Sequence, residues 1–194
     1  MRSLRIPVVV AMLSLVAAVP ARADTWSVLK DSSTHDSRPH TLDAELILGY
    51  LFGSYNHIGI GGWYGYPVLP DGFIPKINDA FYIEAGASIE RFSYGLVVCN
   101  ESWWRLTPAG GVRWQFNLTQ DWSAFATAKV GFGVGFADSN NCNVGANYSL
   151  ASTTQFMFDT GLGAYWNFAD NWRMRVDLGY YSSFAVGVGT DIIK

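Results

Sequence analysis

The sequence predicts an all-β chain, an eight-stranded antiparallel up-and-down transmembrane β-barrel. Three observations predict it. First, long runs alternate with a period of two. Trp104, Leu106, Pro108, Gly110, Val112, Trp114 and Phe116 share one face, and Arg105, Thr107, Ala109, Gly111, Arg113 and Gln115 share the other. Such runs exceed the about 5–6 residues of an ordinary strand and suit a tilted membrane-crossing one of roughly 9–11 with overhang. Second, the charged residues of these runs lie on the face opposite the aromatic one. Third, Trp and Phe flank two short polar turns: Trp114, Phe116 and Trp122 around Asn117–Asp121, and Trp166, Phe168 and Trp172 around Ala169–Asn171.

The first 23 residues read as a cleaved secretory signal: Arg2 and Arg5, an apolar core over 6–19, and Ala21-Arg22-Ala23 as the cleavage site. Removing them takes three Arg and no acid, which leaves ten basic against sixteen acidic residues. That balance argues against nucleic acid, which selects a basic footprint. Residues 24–40 are polar and aperiodic and read as a flexible periplasmic segment, so the barrel is expected over 41–194.

Strand one is expected over 41–52, with Leu42, Ala44, Leu46, Leu48 and Tyr50 opposite Asp43, Glu45, Ile47 and Gly49. Strand two follows over about 55–66, with Ile58, Ile60, Tyr64 and Tyr66 opposite His57 and Trp63. Three prolines within 67–78 argue against a central strand, because proline donates nothing to a ladder. The segment reads instead as a periplasmic connection packed on the barrel's rim, with a plug or a partner contact as the alternative. Strand three (80–92) carries Glu84 and Glu90 on one face. Strands four (103–116) and five (122–136) form the aromatic-flanked hairpin, with Arg105, Arg113 and Lys129 on the charged face. Strands six (151–168), seven (172–181) and eight (184–193) place Asp159, Arg173, Arg175, Asp177 and Asp191 on the same face.

A lumen ringed by eight strands holds little more than side chains. The bulky aromatic face is therefore expected outside, in lipid, and the face rich in small and charged residues inside. Charges buried in a lumen need partners. Glu45, Glu84, Glu90, Arg105, Arg113, Lys129, Asp159, Arg175 and Asp177 are accordingly expected to form an ion-pair network that either fills the barrel or lines a narrow hydrated path. Trp114, Phe116, Trp122, Trp166, Phe168 and Trp172 are expected to form an aromatic girdle at one interface, where an indole N–H stays wet. Trp104, Phe136, Phe156 and Tyr180 are expected to do so at the other.

Cys99 and Cys142 fall in polar segments that read as loops on one side. An exported compartment permits a disulfide, and a bridge, two free thiols and an intermolecular link stay open. No metal, cofactor or catalytic motif emerges. The histidines are His35, His40 and His57, and no Ser–His–acid set is suggested by spacing. The glycines of Gly131–Phe136 lie within a strand and read as lumen packing rather than a nucleotide loop.

With its alternation, aromatic-flanked turns and signal-like start, the segment from Thr41 to Lys194 resembles the small outer-membrane barrel families of the OmpA transmembrane domain and OmpX. The resemblance implies a Gram-negative outer membrane, contact with its lipid, a periplasmic N-terminus and insertion by the barrel-assembly machinery. Those families close on Phe or Trp, whereas this sequence closes Asp191-Ile192-Ile193-Lys194. The expected role is structural or surface-interactive, through extracellular loops that meet an envelope or surface protein. A narrow porin-like channel is the alternative. A lipid-modifying enzyme stands third.

Overall fold

The computed structural model describes residues 25–30, 38–49, 56–96, 99–140, 154–179 and 183–193. Its elements are a short helix α1 (Thr25–Lys30) and eight strands: β1 (His40–Gly49), β2 (Asn56–Leu69), β3 (Asp79–Leu96), β4 (Cys99–Asn117), β5 (Trp122–Asn140), β6 (Thr154–Ala169), β7 (Trp172–Gly179) and β8 (Ser183–Ile193). Each strand pairs antiparallel with the next, and β8 closes on β1 from Ile193↔His40 to Ser183↔Gly49. The chain is a closed eight-stranded barrel. No helix among the described residues is long and apolar enough to cross a membrane.

Its polarity is that of a membrane barrel. In β1 buried and exposed residues alternate, with Thr41, Asp43, Glu45 and Ile47 inside and Leu42 and Leu46 outside. The same phase runs round the wall. Outward residues include Ile60 at 61% exposed, Phe132 at 56%, Phe156 at 60% and Leu162 at 66%, whereas Glu84, Arg113 and Arg175 are wholly buried. A water-soluble barrel buries its apolar face and leaves its charges outside. The reverse arrangement is stable only where the outer solvent is hydrocarbon, and there a closed ladder also satisfies the backbone.

Several elements depart from what the sequence suggests. β2 continues through Pro67 to Leu69, where residues 67–78 read as a connection throughout. Pro67 is accommodated because β2 pairs with β1 only as far as Gly65 and meets β3 through a bulge between Pro67 and Leu69. A proline on a free edge or at a bulge costs no ladder bond. β3 and β4 run further outward than the alternation indicates, pairing as far as Leu96↔Cys99. Cys99 therefore opens a strand rather than sitting in a loop. Its side chain and Cys142 lie outside the described residues, as do 1–24 and Tyr180. Within the segment read as flexible, α1 forms, and Leu29 accepts a hydrogen bond from the Asn78 N–H at 2.7 Å.

The inner rim is built by the connection after β2. A turn closes Gly72 N–H on Leu69 O at 3.1 Å, with Gly72 at φ 63°. A side chain there would also strike the Asp79 carboxylate, so both the conformation and the space require glycine. Asp79 accepts from Phe73 N–H at 2.9 Å and from Trp114 Nε1 at 2.7 Å. Phe73 packs edge-on to Phe81 and Trp114.

Candidate functional site

The lumen holds two polar clusters, one in each half. The inner cluster lies toward the end that carries the turns after β2, β4 and β6. Two arginines on neighbouring levels, Arg113 of β4 and Arg175 of β7, are both completely buried. Arg175 donates through Nη1 to Asp43 Oδ2 and Glu84 Oε1, each at 3.0 Å, and through Nε to Asp177 Oδ2 at 2.6 Å. Its Nε also lies 2.8 Å from Glu45 Oε1. Arg113 meets Glu84 at 3.3 Å and Asp43 at 3.7 Å and donates to Thr41 Oγ1 at 3.2 Å and to the Tyr165 hydroxyl. Tyr165 in turn donates to Asp43 Oδ2 at 3.1 Å. Arg173 adds Nε and Nη2 bonds to Asp43 Oδ1, at 3.2 and 3.1 Å, and an Nη1 bond to Asp191 at 3.0 Å.

Aromatic rings fill the space between these charges. Arg113 sits 4.2 Å over Tyr82, Arg173 lies 4.4 Å over Tyr165, and Arg175 lies 5.0 Å over Phe125. Guanidinium planes stack well on rings because they are flat and weakly hydrated. Residues from β1, β3, β4, β5, β6, β7 and β8 thus meet across the axis, and the inner half of the lumen is a packed layer.

The outer cluster is looser. Trp63 donates Nε1–H to Glu45 Oε2 at 3.0 Å, and Lys129 Nζ lies 3.8 Å over the Trp63 ring and 4.0 Å from Glu84. Glu90 accepts from Ser88 at 2.9 Å and from Arg105 Nη2 at 3.3 Å, and lies 3.4 Å from His57 Nε2. His57 stacks on Phe92, over which Arg105 also lies at 4.2 Å. A cavity of about 100 Å³ opens among these groups, lined also by Thr107, Ala109, Gly131, Met157, Asp159 and Asp177. By volume that is room for about three waters.

Serine, carboxylate and imidazole do meet here, at Ser88, Glu90 and His57. The order differs from that of an acyl-transfer triad. The hydroxyl donates to the carboxylate, not to the imidazole that would have to take its proton.

Of the lumen charges singled out in the sequence, Glu45, Glu84, Arg113, Arg175 and Asp177 come together in the inner cluster. Glu90 and Arg105 meet in the outer one. Lys129 bridges the two, and Asp159 faces Lys129 in register and lines the cavity. The site also contains Asp43, Arg173, Thr41 and five large inward rings: Trp63, Tyr82, Phe92, Phe125 and Tyr165. Alternation puts these rings on the inner face, but their bulk contradicts an interior of small residues. The stack of each ring on an arginine or lysine explains how they fit.

The six girdle aromatics all lie at the inner end. Trp122 stacks on Trp166, Trp166 lies 6.0 Å from Phe168, and Trp114 lies 4.7 Å from Phe116. Trp172 is half exposed. Below them Arg38 reaches the mouth, donating to Asn78 and to Pro70 O. Burial there pulls the Arg38 guanidinium below its ordinary value, against the opposing pull of Tyr82, Asp71 and Asp79.

No family model and no curated protein matches the chain. Among solved structures it is similar to a de novo designed transmembrane β-barrel, with 18% identity, 80% of this chain and 98% of that one covered, and a TM-score of 0.45. It is similar to Ail, the attachment invasion locus protein of Yersinia pestis, in complex with the heparin analogue sucrose octasulfate (14% identity, 79% and 97% covered, TM-score 0.46). It is also similar to the N-terminal β-barrel domain of Pseudomonas aeruginosa OprF (16%, 78% and 97%, TM-score 0.36). The barrel's closure and its inverted polarity stand on the chain's own geometry.

Proposed function

We propose that the chain is an outer-membrane barrel with a closed lumen, whose work is done at its outer end by contact with an envelope or surface protein. The observation that carries this reading is the buried Arg113–Arg175 layer. Seven strands contribute to it, and both arginines are paired within it with Asp43 and Glu84. A conducting path would have to break several of these buried pairs together, each at a cost of several kcal/mol.

The outer end offers a surface instead. Among the described residues β3, β4 and β5 pair far toward the outer end, through Leu96↔Cys99 and Glu101↔Asn140. Among the described residues, β5 beyond Val134 pairs with β4 alone. The outer ends of these strands belong to the surface read here as the contact site, since a strand edge can template a partner. Export by a cleaved signal, insertion by the barrel-assembly machinery and contact with outer-membrane lipid belong to the same reading.

The test pairs two measurements on the full chain. In planar bilayers the folded protein is expected to give no unitary current above bare lipid. In cells, a photo-crosslinking amino acid at position 96 or 138 is expected to capture a discrete protein, and one at the lipid-facing position 162 none. Unitary currents whose ion selectivity changes with Arg113→Glu would overturn the closed-lumen reading.

A further inference from the structure

The connection between β2 and β3 turns apolar side chains onto the lipid-facing wall. Leu69 stands in register with Phe81, and Phe81 with Trp114, so these residues share the outward face. Phe73 lies across that row, edge-on to Phe81 at 4.9 Å and to Trp114 at 5.8 Å, and is itself 54% exposed. Val68 and Leu69 are exposed as well. The ring is held in place. Asp79, wholly buried, fixes both sides of the contact by accepting from the Phe73 N–H at 2.9 Å and from Trp114 Nε1 at 2.7 Å. A ring held out into water gains nothing. At the level of an aromatic girdle the same ring is covered by lipid.

Past Phe73 the chain turns again. The Ile77 N–H closes on Ile74 O at 3.1 Å, with Pro75 and Lys76 between them. Among the described residues Lys76 is the one non-glycine residue at positive φ, 78°. A side chain is disfavoured there, and glycine is the usual choice. Lysine at this position sets a cation beside the apolar patch where glycine would set none. Lys76 is exposed, and no carboxylate among the described residues pairs with it. The acids of the same connection act elsewhere: Asp79 on Phe73 and Trp114, and Asp71 on Arg38.

We propose that the β2–β3 connection is an interfacial foot that binds a phospholipid of the inner-side leaflet. Phe73 and Leu69 lie among the upper acyl chains, and the Lys76 ammonium pairs with the lipid phosphate. The occupant is lipid because the patch is continuous with the lipid-facing wall: whatever covers Phe73 also covers Phe81 and Trp114. The lysine stem lies along apolar surface while its head reaches the polar layer, and a basic residue at a membrane surface is drawn to anionic lipid. Such a foot sets the depth of the barrel in the bilayer. It rests on the membrane reading of the barrel.

The test uses the full chain folded in phosphatidylglycerol bilayers, with 4-fluorophenylalanine placed singly at 73 or at the lipid-facing position 158. Dissolved oxygen, which concentrates in hydrocarbon, is expected to relax both fluorines more than a water-soluble nickel chelate does, with 73 the shallower. In protein carrying ¹⁵N-lysine, lipid phosphorus is expected to dephase the ammonium signal, and Lys76→Gln to remove one lysine's share of that dephasing. Fluorine at 73 relaxed mainly by the chelate, with that at 158 relaxed mainly by oxygen, would overturn the foot and leave the barrel standing. It is the result a patch reserved for a protein partner gives, since these bilayers hold no other protein. Chelate dominance at both positions would overturn the foot together with the membrane reading. Dephasing unchanged by Lys76→Gln would overturn the phosphate contact.

Discussion

The two halves of the lumen use the same chemistry to different ends. In the inner half, Arg113, Arg173 and Arg175 each meet two or more carboxylates, and Tyr82, Phe125 and Tyr165 fill the remaining space. In the outer half, Arg105 pairs with Glu90 at 3.3 Å, Lys129 lies 4.0 Å from Glu84, and a cavity remains. The same inventory of charges and rings therefore gives a solid layer where it is dense and a chamber where it is sparse. What differs is how many carboxylates each cation reaches, and that is set by register around the closed wall rather than by composition.

Substitutions sharpen this contrast. Arg175→Met leaves Asp43, Glu45, Glu84 and Asp177 around an uncharged side chain. It is expected to cost about 3–5 kcal/mol, the range for breaking a buried charge pair, read as a lower urea midpoint for unfolding from lipid vesicles. Leu162→Arg places a charge on the lipid face of β6 and is expected to cost about 2–4 kcal/mol in the same assay. An equally charged change at an inward position would not behave alike, because the lumen already holds counter-ions. Trp63→Phe keeps the ring under Lys129 but leaves Glu45 Oε2 without its donor. About 1–3 kcal/mol is expected from that lost bond, seen as a lower temperature at which the compact band in SDS converts to the unfolded one. Lys129→Gln removes a cation–π contact and a long ion pair in the loose half. It is expected to cost about 1 kcal/mol. If Lys129→Gln costs as much as Arg175→Met, the two halves do not differ as described.

Much of the wall was legible because hydrocarbon and lumen impose opposite chemistry on alternate residues. The runs 104–116, 122–136 and 156–168 show it without ambiguity. Legibility failed in three ways. Pro67 reads as a strand breaker, but only its place on a free edge and at a bulge shows that nothing is lost there. The outer ends of β3, β4 and β5 carry no sustained alternation of apolar and polar residues, so Cys99 reads as loop. The inner-face rings Tyr82, Phe125 and Tyr165 escape notice because alternation reports polarity and not volume. Their place follows from arginines on other strands. Asp43 and Arg175 stand 132 positions apart in the chain and meet only once β8 closes on β1. The sequence carries the charges, and the register decides which of them pair.

Apolar residues of the wall face lipid and charged ones face the lumen. Nitroxide labels placed singly at 156 to 163 along β6, in the full chain in lipid vesicles, test it most directly. Collision with oxygen, which concentrates in hydrocarbon, is expected to peak at 156, 158 and 162 and to fall at 157, 159, 161 and 163. A period of two with the opposite phase would contradict the account, and so would oxygen collision without any period.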